Sequence, residues 1–366
     1  MGYISWDKCK LCCFYQKTKK KQWAAYASDI LKENIPPGSF EGTIRENLES
    51  AFNFYIGTFL AAMGNTIQAV EWLREGALNE EDGLFSSTFL LGFLERHNGQ
   101  LIMPALAFED PLPFIHFANV PVMMKARANF IRQAGHTLPR FTAPVSFMDI
   151  GCGDGSLTVR LLSHLLATGR IDELREILLV DSSDAMITLA KKNIVESFPD
   201  TLVRTENCRV QDFSCRIDHR FDIAMSSLAY HHMPAEDKKT SISQLKPWIN
   251  HFLLFELDAN NDLPELFSPE LALSVYQSYG RVIDFVYAHD APVDVVTDCV
   301  DSFLMTELVS MMTQARGVRT DYHMLRSQWN DLFHSQLGPE FTLLCDSNCY
   351  ADEYITLFTM HYGRGE

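Results

Sequence analysis

The chain has 366 residues, 47% apolar and 21% charged, which is material for two domains at roughly 100–200 residues each and excludes a largely disordered chain. Thirty-one basic against 47 acidic residues leave a net charge of −16, a surface that repels phosphate backbones, so no nucleic-acid partner is expected. No stretch reaches the ~18 uninterrupted apolar residues of a membrane span, so no membrane partner is expected either.

The opening MGYISW lacks the order of a secretory signal, and Trp6 stands where a myristoylation signal wants Ser or Thr. Nine scattered cysteines make no disulfide framework, which points to a reducing, cytoplasmic location. Cys9, Cys12 and Cys13 form a CxxCC cluster without a second ligand pair at zinc spacing, so no metal is assigned. Residues 1–22 read as a leader or first helix, with Lys17, Lys19, Lys20 and Lys21 on a solvated face. Pro36-Pro37-Gly38 then breaks the chain.

From about Thr43 the apolar spacing becomes helical: Phe52, Tyr55, Phe59, Leu60 and Met63, then Ile67, Val70, Leu73 and Leu78, with Gly64-Asn65 between the two runs. Tyr55, Gly57, Gly64, Ala69, Trp72 and Ala77 resemble one tetratricopeptide-type hairpin. The pattern does not repeat through Phe93 and Pro104, so a small helical domain is expected rather than a solenoid. Pro111, Pro113 and Pro121 mark irregular connections, and a helix is expected around residues 122–134. This N-terminal helical domain is taken as residues 1–140.

From Pro144 short apolar strands alternate with amphipathic helices: VSFMDI, EILLVD, CRVQDF, FDIAMSS and HFLLFELD read as strands, separated by helical stretches. Such alternation predicts an α/β, doubly wound, mostly parallel sheet, with ligands at the C-terminal ends of the strands. Residues 141–258 are its cofactor half. Residues 259–335 read as a helical insertion, and residues 336–366 as a last β-hairpin, FTLLCDSNCY and YITLFTMHYG. The sheet expected is seven-stranded with an antiparallel last strand.

The motif that carries chemistry is Asp149-Ile150-Gly151-Cys152-Gly153-Asp154-Gly155, after a strand and before a helix. Gly151 permits the tight turn, Gly153 close approach of a ligand, and Gly155 close packing where the helix begins. A dinucleotide fingerprint would put its third glycine at Ser156, and a carboxylate at Asp149 repels a pyrophosphate but suits an ammonium group. Asp181, ending the second strand, can accept both hydroxyls of a ribose. Asp212, in Val210-Gln211-Asp212-Phe213, is expected at the end of the third strand, where it can accept an adenine amino group. Ser226 to His232 follow the fourth.

In this order these elements resemble the class I S-adenosylmethionine-dependent methyltransferases, over residues 144–258 and the final hairpin. The resemblance implies S-adenosyl-L-methionine as cofactor and S-adenosyl-L-homocysteine as product. It assigns Asp149, Gly151, Cys152 and Gly153 to the methionine and ribose parts, with Gly155 completing the loop, and Asp181 to the ribose hydroxyls. Ser182 and Met186 then flank the adenine or its ribose, Gln211, Asp212 and Phe213 meet the adenine edge, and Ser226 approaches the methionine moiety.

On the acceptor side, Tyr230, His231 and His232 are the candidate catalytic residues, a histidine poised near neutral pH being suited to general-base work. Glu256 at the end of the fifth strand, and Tyr279, Arg316, Arg319, Tyr322 and His323 in the insertion, are candidate substrate-binding residues. Two arginines around Gly317 can clamp a carboxylate or phosphate. Methylation of a small molecule under a helical lid is the first reading. A protein or peptide methyltransferase docking its substrate on the N-terminal helices is the alternative, and a non-catalytic use of the fold is a third. The acceptor atom and the oligomeric state, a homodimer included, stay open.

Overall fold

The computed structural model describes residues 22–81, 83–103, 110–217 and 219–365. The CxxCC cluster, the lysine run and Pro104 lie outside the described residues. The chain divides into two compact units. A helical unit takes the chain up to residue 105 with Ala259–Leu325 and Asp352–Ile355; a sheet unit takes Leu106–Asp258, Arg326–Ala351 and Thr356–Glu366. Among the described residues no helix is long and apolar enough to cross a membrane.

The sheet unit is a seven-stranded sheet of order β3-β2-β1-β4-β5-β7-β6. Its strands are β1 Val145–Ile150, β2 Leu174–Asp181, β3 Leu202–Asn207, β4 Phe221–Ser227, β5 Ile249–Leu257, β6 Phe341–Ala351 and β7 Thr356–Arg364. β1 to β5 run parallel, and β7 enters antiparallel between β5 and β6. The central strands are near-continuous apolar runs because helices cover both faces of a parallel sheet; every residue of β1 is buried. On the helix Ser156–Ala167, Leu157, Leu161, Leu162 and Leu165 make the apolar stripe. Each such side chain contributes about 1.5–3 kcal/mol by leaving water.

One expected strand moves. The sequence pattern places the third strand at residues 208–213, but β3 is Leu202–Asn207, in register from Glu176↔Leu202 to Asp181↔Asn207. Val210–Phe213 is instead one helical turn. β3 is an edge strand with a polar, partly exposed sequence, LVRTEN. It lacks the apolar run that marks the buried strands, and a sequence pattern cannot see the pairing that makes it a strand.

In the helical unit Glu49–Ala62 and Thr66–Leu78 form the expected hairpin. Its close approach requires Gly57, where a Cβ would come within 2.6 Å of Leu73 Cγ. Trp23, Phe52 and Trp72 pack edge to face in its core. The next helix, Ser86–Arg96, docks on Pro269–Tyr287, where the Ser86 hydroxyl donates to Tyr276 O at 2.6 Å. Val293–Cys299 and Met305–Thr313 follow, joined by a π-helical turn at Val300–Leu304.

Candidate active site

At the end of β1 the chain turns sharply. The Gly151 and Cys152 amides both donate to Val180 O on β2, at 2.8 and 3.1 Å. Gly151, Gly153 and Gly155 have φ of 72, 52 and 73°, the left-handed region that glycine enters without penalty. A Cβ at Gly151 would lie 2.2 Å from Ala229 Cβ, and one at Gly155 3.1 Å from Ala190 Cα on the helix Asp184–Ser197. Gly155 thus allows the close packing expected of it. Against Gly153 the structure seats the Phe114 ring, 3.0 Å from where a Cβ would stand.

Asp149 is 2% exposed. Its Oδ2 accepts from the Thr158 hydroxyl, while Oδ1 has no hydrogen-bond partner among the described residues. Burial pushes its carboxyl pKa up to about 7, with the Thr158 hydrogen bond opposing the rise. Arg127, on the helix Pro121–Thr137, belongs to no sequence motif. It is buried, its Nε has no hydrogen-bond partner among the described residues, and desolvation lowers its pKa against the fields of Asp154 and Asp149. The available signal was an arginine inside the buried stripe Met123, Ala126, Phe130, Ile131 and Ala134. An orphaned carboxylate oxygen and an orphaned guanidinium nitrogen beside one glycine loop complement the ammonium and carboxylate of an amino acid. The residues present therefore fit the methionine part of S-adenosyl-L-methionine.

Asp181 Oδ2 accepts from the Gly153 amide and Oδ1 from the Ser183 amide, both at 2.9 Å. Desolvation raises its pKa, and those amides oppose the rise. Each oxygen retains a lone pair for a ribose hydroxyl. Ser182 is exposed beside it; Ser183 caps the following helix by accepting from the Met186 amide at 3.2 Å, and the Met186 side chain is buried in the core. Cys152 is buried, and desolvation raises its thiol pKa. Gln211, Asp212 and Phe213 lie on the helical turn after β3 rather than at a strand end. Phe213 is buried, whereas Asp212 is exposed and pairs with Arg209 at 3.0 Å. Ser226 stands beside Ile150 in the β1–β4 register, buried, its hydroxyl without a hydrogen-bond partner among the described residues.

After β4 the backbone passes through Leu228 at φ 49°, a left-handed conformation that costs a branched L-residue about 1–2 kcal/mol. The Leu228 amide is held by Phe255 O at 2.8 Å. This turn presents Tyr230, His231 and His232. The Tyr230 hydroxyl lies 3.0 Å from Ser241 Oγ, its ring packed among Phe252 and Trp329, and burial raises its pKa. His231 Nδ1 lies 2.9 Å from Glu256 Oε2, and Glu256, on β5, is fully buried. The His232 ring is tilted 55° to that of His231, ring centres 4.2 Å apart, and its field favours the ionised Asp181.

The helical unit holds the other candidates, with Tyr279, Arg319, Tyr322 and His323 buried and Arg316 exposed. The Tyr279 hydroxyl donates to Glu307 Oε2 at 3.0 Å and lies 3.3 Å from His323 Nε2. Arg316 pairs with Asp262 at 2.7 Å, and the Gly317 amide donates to the Tyr322 hydroxyl at 2.9 Å. Asp262 and Glu307 were not singled out in the sequence, since only tertiary packing brings them to the arginines and tyrosine.

A family model described as a methyltransferase domain matches residues 147–250. No curated protein matches the chain in sequence. Among solved structures, SCL7 in Oryza sativa is 13% identical with a TM-score of 0.55, over 83% of this chain and 99% of that one, and shares the fold. Magnesium protoporphyrin IX methyltransferase (ChlM) from Synechocystis PCC 6803, with bound SAM, is 12% identical with a TM-score of 0.38, over 69% and 91%. The plantazolicin methyltransferase BpumL, in complex with SAH, is 13% identical with a TM-score of 0.38, over 80% and 94%. The glycine loop, the acid that closes β2 and the match over residues 147–250 mark a methyltransferase domain within the chain, of the kind that uses S-adenosyl-L-methionine as its cofactor.

Proposed function

We propose that the enzyme methylates a small-molecule acceptor that gives up a proton, with His231 as the proton acceptor and Glu256 as the group that orients it. The 2.9 Å pair between His231 Nδ1 and Glu256 Oε2 carries this reading. An ionised carboxylate can only accept, so Nδ1 holds the ring proton and the basic lone pair is on Nε2. Bound S-adenosyl-L-methionine supplies an electrophilic sulfonium methyl group. Asp149 and Arg127 hold the amino-acid end of the cofactor, and Asp181 its ribose. Tyr230 keeps the His231 segment packed and takes no proton. The burial of both His231 and Glu256 favours a small acceptor that enters a recess over an exposed polypeptide chain.

The test measures S-adenosyl-L-homocysteine formation with a panel of phenols, amines and carboxylic acids. His231→Asn is expected to lower kcat by about 10²–10⁴-fold on any acceptor that turns over, the range for a positioned base. Affinity for S-adenosyl-L-homocysteine is expected to stay unchanged. Full turnover by a folded His231→Asn enzyme sinks the assignment.

A further inference from the structure

In the helical unit one charged side chain is buried without the partners its chemistry requires. Arg319 is 3% exposed. Its Nη2 donates to Asp262 O at 2.6 Å, and its guanidinium stands 5.2 Å from the centre of the Tyr322 ring. Nε and Nη1 have no hydrogen-bond partner among the described residues. The Asp262 carboxylate is taken by Arg316 instead. Native structures rarely leave buried N–H donors unmade, and a guanidinium presents them as a planar fork. With one N–H of Nη2 committed, the fork keeps one two-pronged edge open.

The surroundings hold this fork in place. The Arg319 amide donates to Ala315 O at 3.2 Å, and the Thr320 amide to Ser310 Oγ at 3.0 Å. The Asn261 and Asp262 amides both donate to His323 O, at 2.9 and 3.0 Å. We propose that Arg319 is the anchor for a carboxylate group on a small-molecule ligand, gripped by the open edge of its guanidinium. A planar carboxylate matches that edge with two parallel hydrogen bonds. The Asp262 and Asp321 carboxylates, both buried, act on Arg319 through their charges. Beside the Arg316–Asp262 pair and Asp321, a carboxylate adds one negative charge to the site and a phosphate dianion would add two. If the carboxylate belongs to the methyl acceptor, that identification rests on the small-molecule reading above.

The test is calorimetric titration of the full chain with benzoate, its neutral isostere benzamide, and phenyl phosphate, beside S-adenosyl-L-homocysteine. Benzoate is expected to bind the wild type, with benzamide and phenyl phosphate weaker. Arg319→Gln is expected to weaken benzoate at least about tenfold, the loss of charge-assisted hydrogen bonds, with S-adenosyl-L-homocysteine affinity unchanged. Arg319→Lys, which keeps the charge and loses the fork, is also expected to weaken it, and it decides the matter should Arg319→Gln fail to fold. Three results overturn the proposal: no benzoate binding to the wild type, unchanged benzoate affinity in a folded Arg319 variant, or preference for phenyl phosphate or benzamide. Failure of the wild type to bind S-adenosyl-L-homocysteine would strike the cofactor assignment and leave the benzoate result standing.

Discussion

The glycine loop of the sheet unit and the 315–325 segment of the helical unit both place polar groups where water is scarce, by opposite means. The loop works through backbone: three glycines in left-handed conformations, tied to β2 by two amides. The segment works through side chains, and its central ion pair joins Asp262 to Arg316 across 54 positions of sequence. A backbone site is written into adjacent residues and tolerates almost no added volume. A side-chain network is written into distant residues and fails by losing partners one at a time.

The largest effect is expected where the loop has no room. Gly151→Val forces a β-branched residue into φ 72° and a contact with Ala229 whose Cβ would lie 2.2 Å away. Overpacking and backbone strain together cost about 3 kcal/mol or more. Loss of S-adenosyl-L-homocysteine binding and a lowered melting temperature are expected, and a Gly151→Val protein that binds normally would show that the turn is not held as described.

Next comes Asp149. Its carboxyl pKa is raised to about 7 from an ordinary value of 3.8. In the free protein this group favours the fold fully below the unfolded pKa, and that contribution is lost as pH rises toward about 7. A ligand ammonium reverses the penalty, so S-adenosyl-L-homocysteine affinity is expected to rise from pH 5.5 to 7.5. Asp149→Asn should weaken binding about tenfold or more at pH 7.5 and flatten this dependence. Titrations at several pH values check it; an equally steep profile in the variant refutes the role.

Asp181→Ala removes the acceptor that the Gly153 and Ser183 amides share, as well as the proposed ribose contact. A loss of about tenfold in cofactor affinity is expected, since charge-assisted hydrogen bonds contribute roughly 1.5–3 kcal/mol each. Unchanged affinity would place the ribose elsewhere. The smallest effect is expected from Tyr230→Phe, which removes only the hydroxyl beside Ser241: about 1 kcal/mol of stability by thermal melting, with kcat near wild type. A large fall in kcat would return Tyr230 to the chemistry.

The sequence by itself determined the parallel sheet, the glycine turn and the acid at the end of β2, because each is signalled by neighbours along the chain: apolar strands, three glycines at fixed offsets, a carboxylate closing a strand. It also singled out His231 and Glu256 separately, without pairing them. Only the tertiary structure decided that pairing, since β4 and β5 bring the two side chains together from 25 positions apart. Tertiary structure likewise moved the third strand to Leu202–Asn207, where pairing with β2 outweighs a polar edge sequence. It set Asp212 on the surface with Arg209. It also buried Arg127 and Arg319 with donors unmade. Burial is a property of what surrounds a residue in space, and an arginine in a helical stripe or a loop reads the same in one dimension whether or not it is exposed.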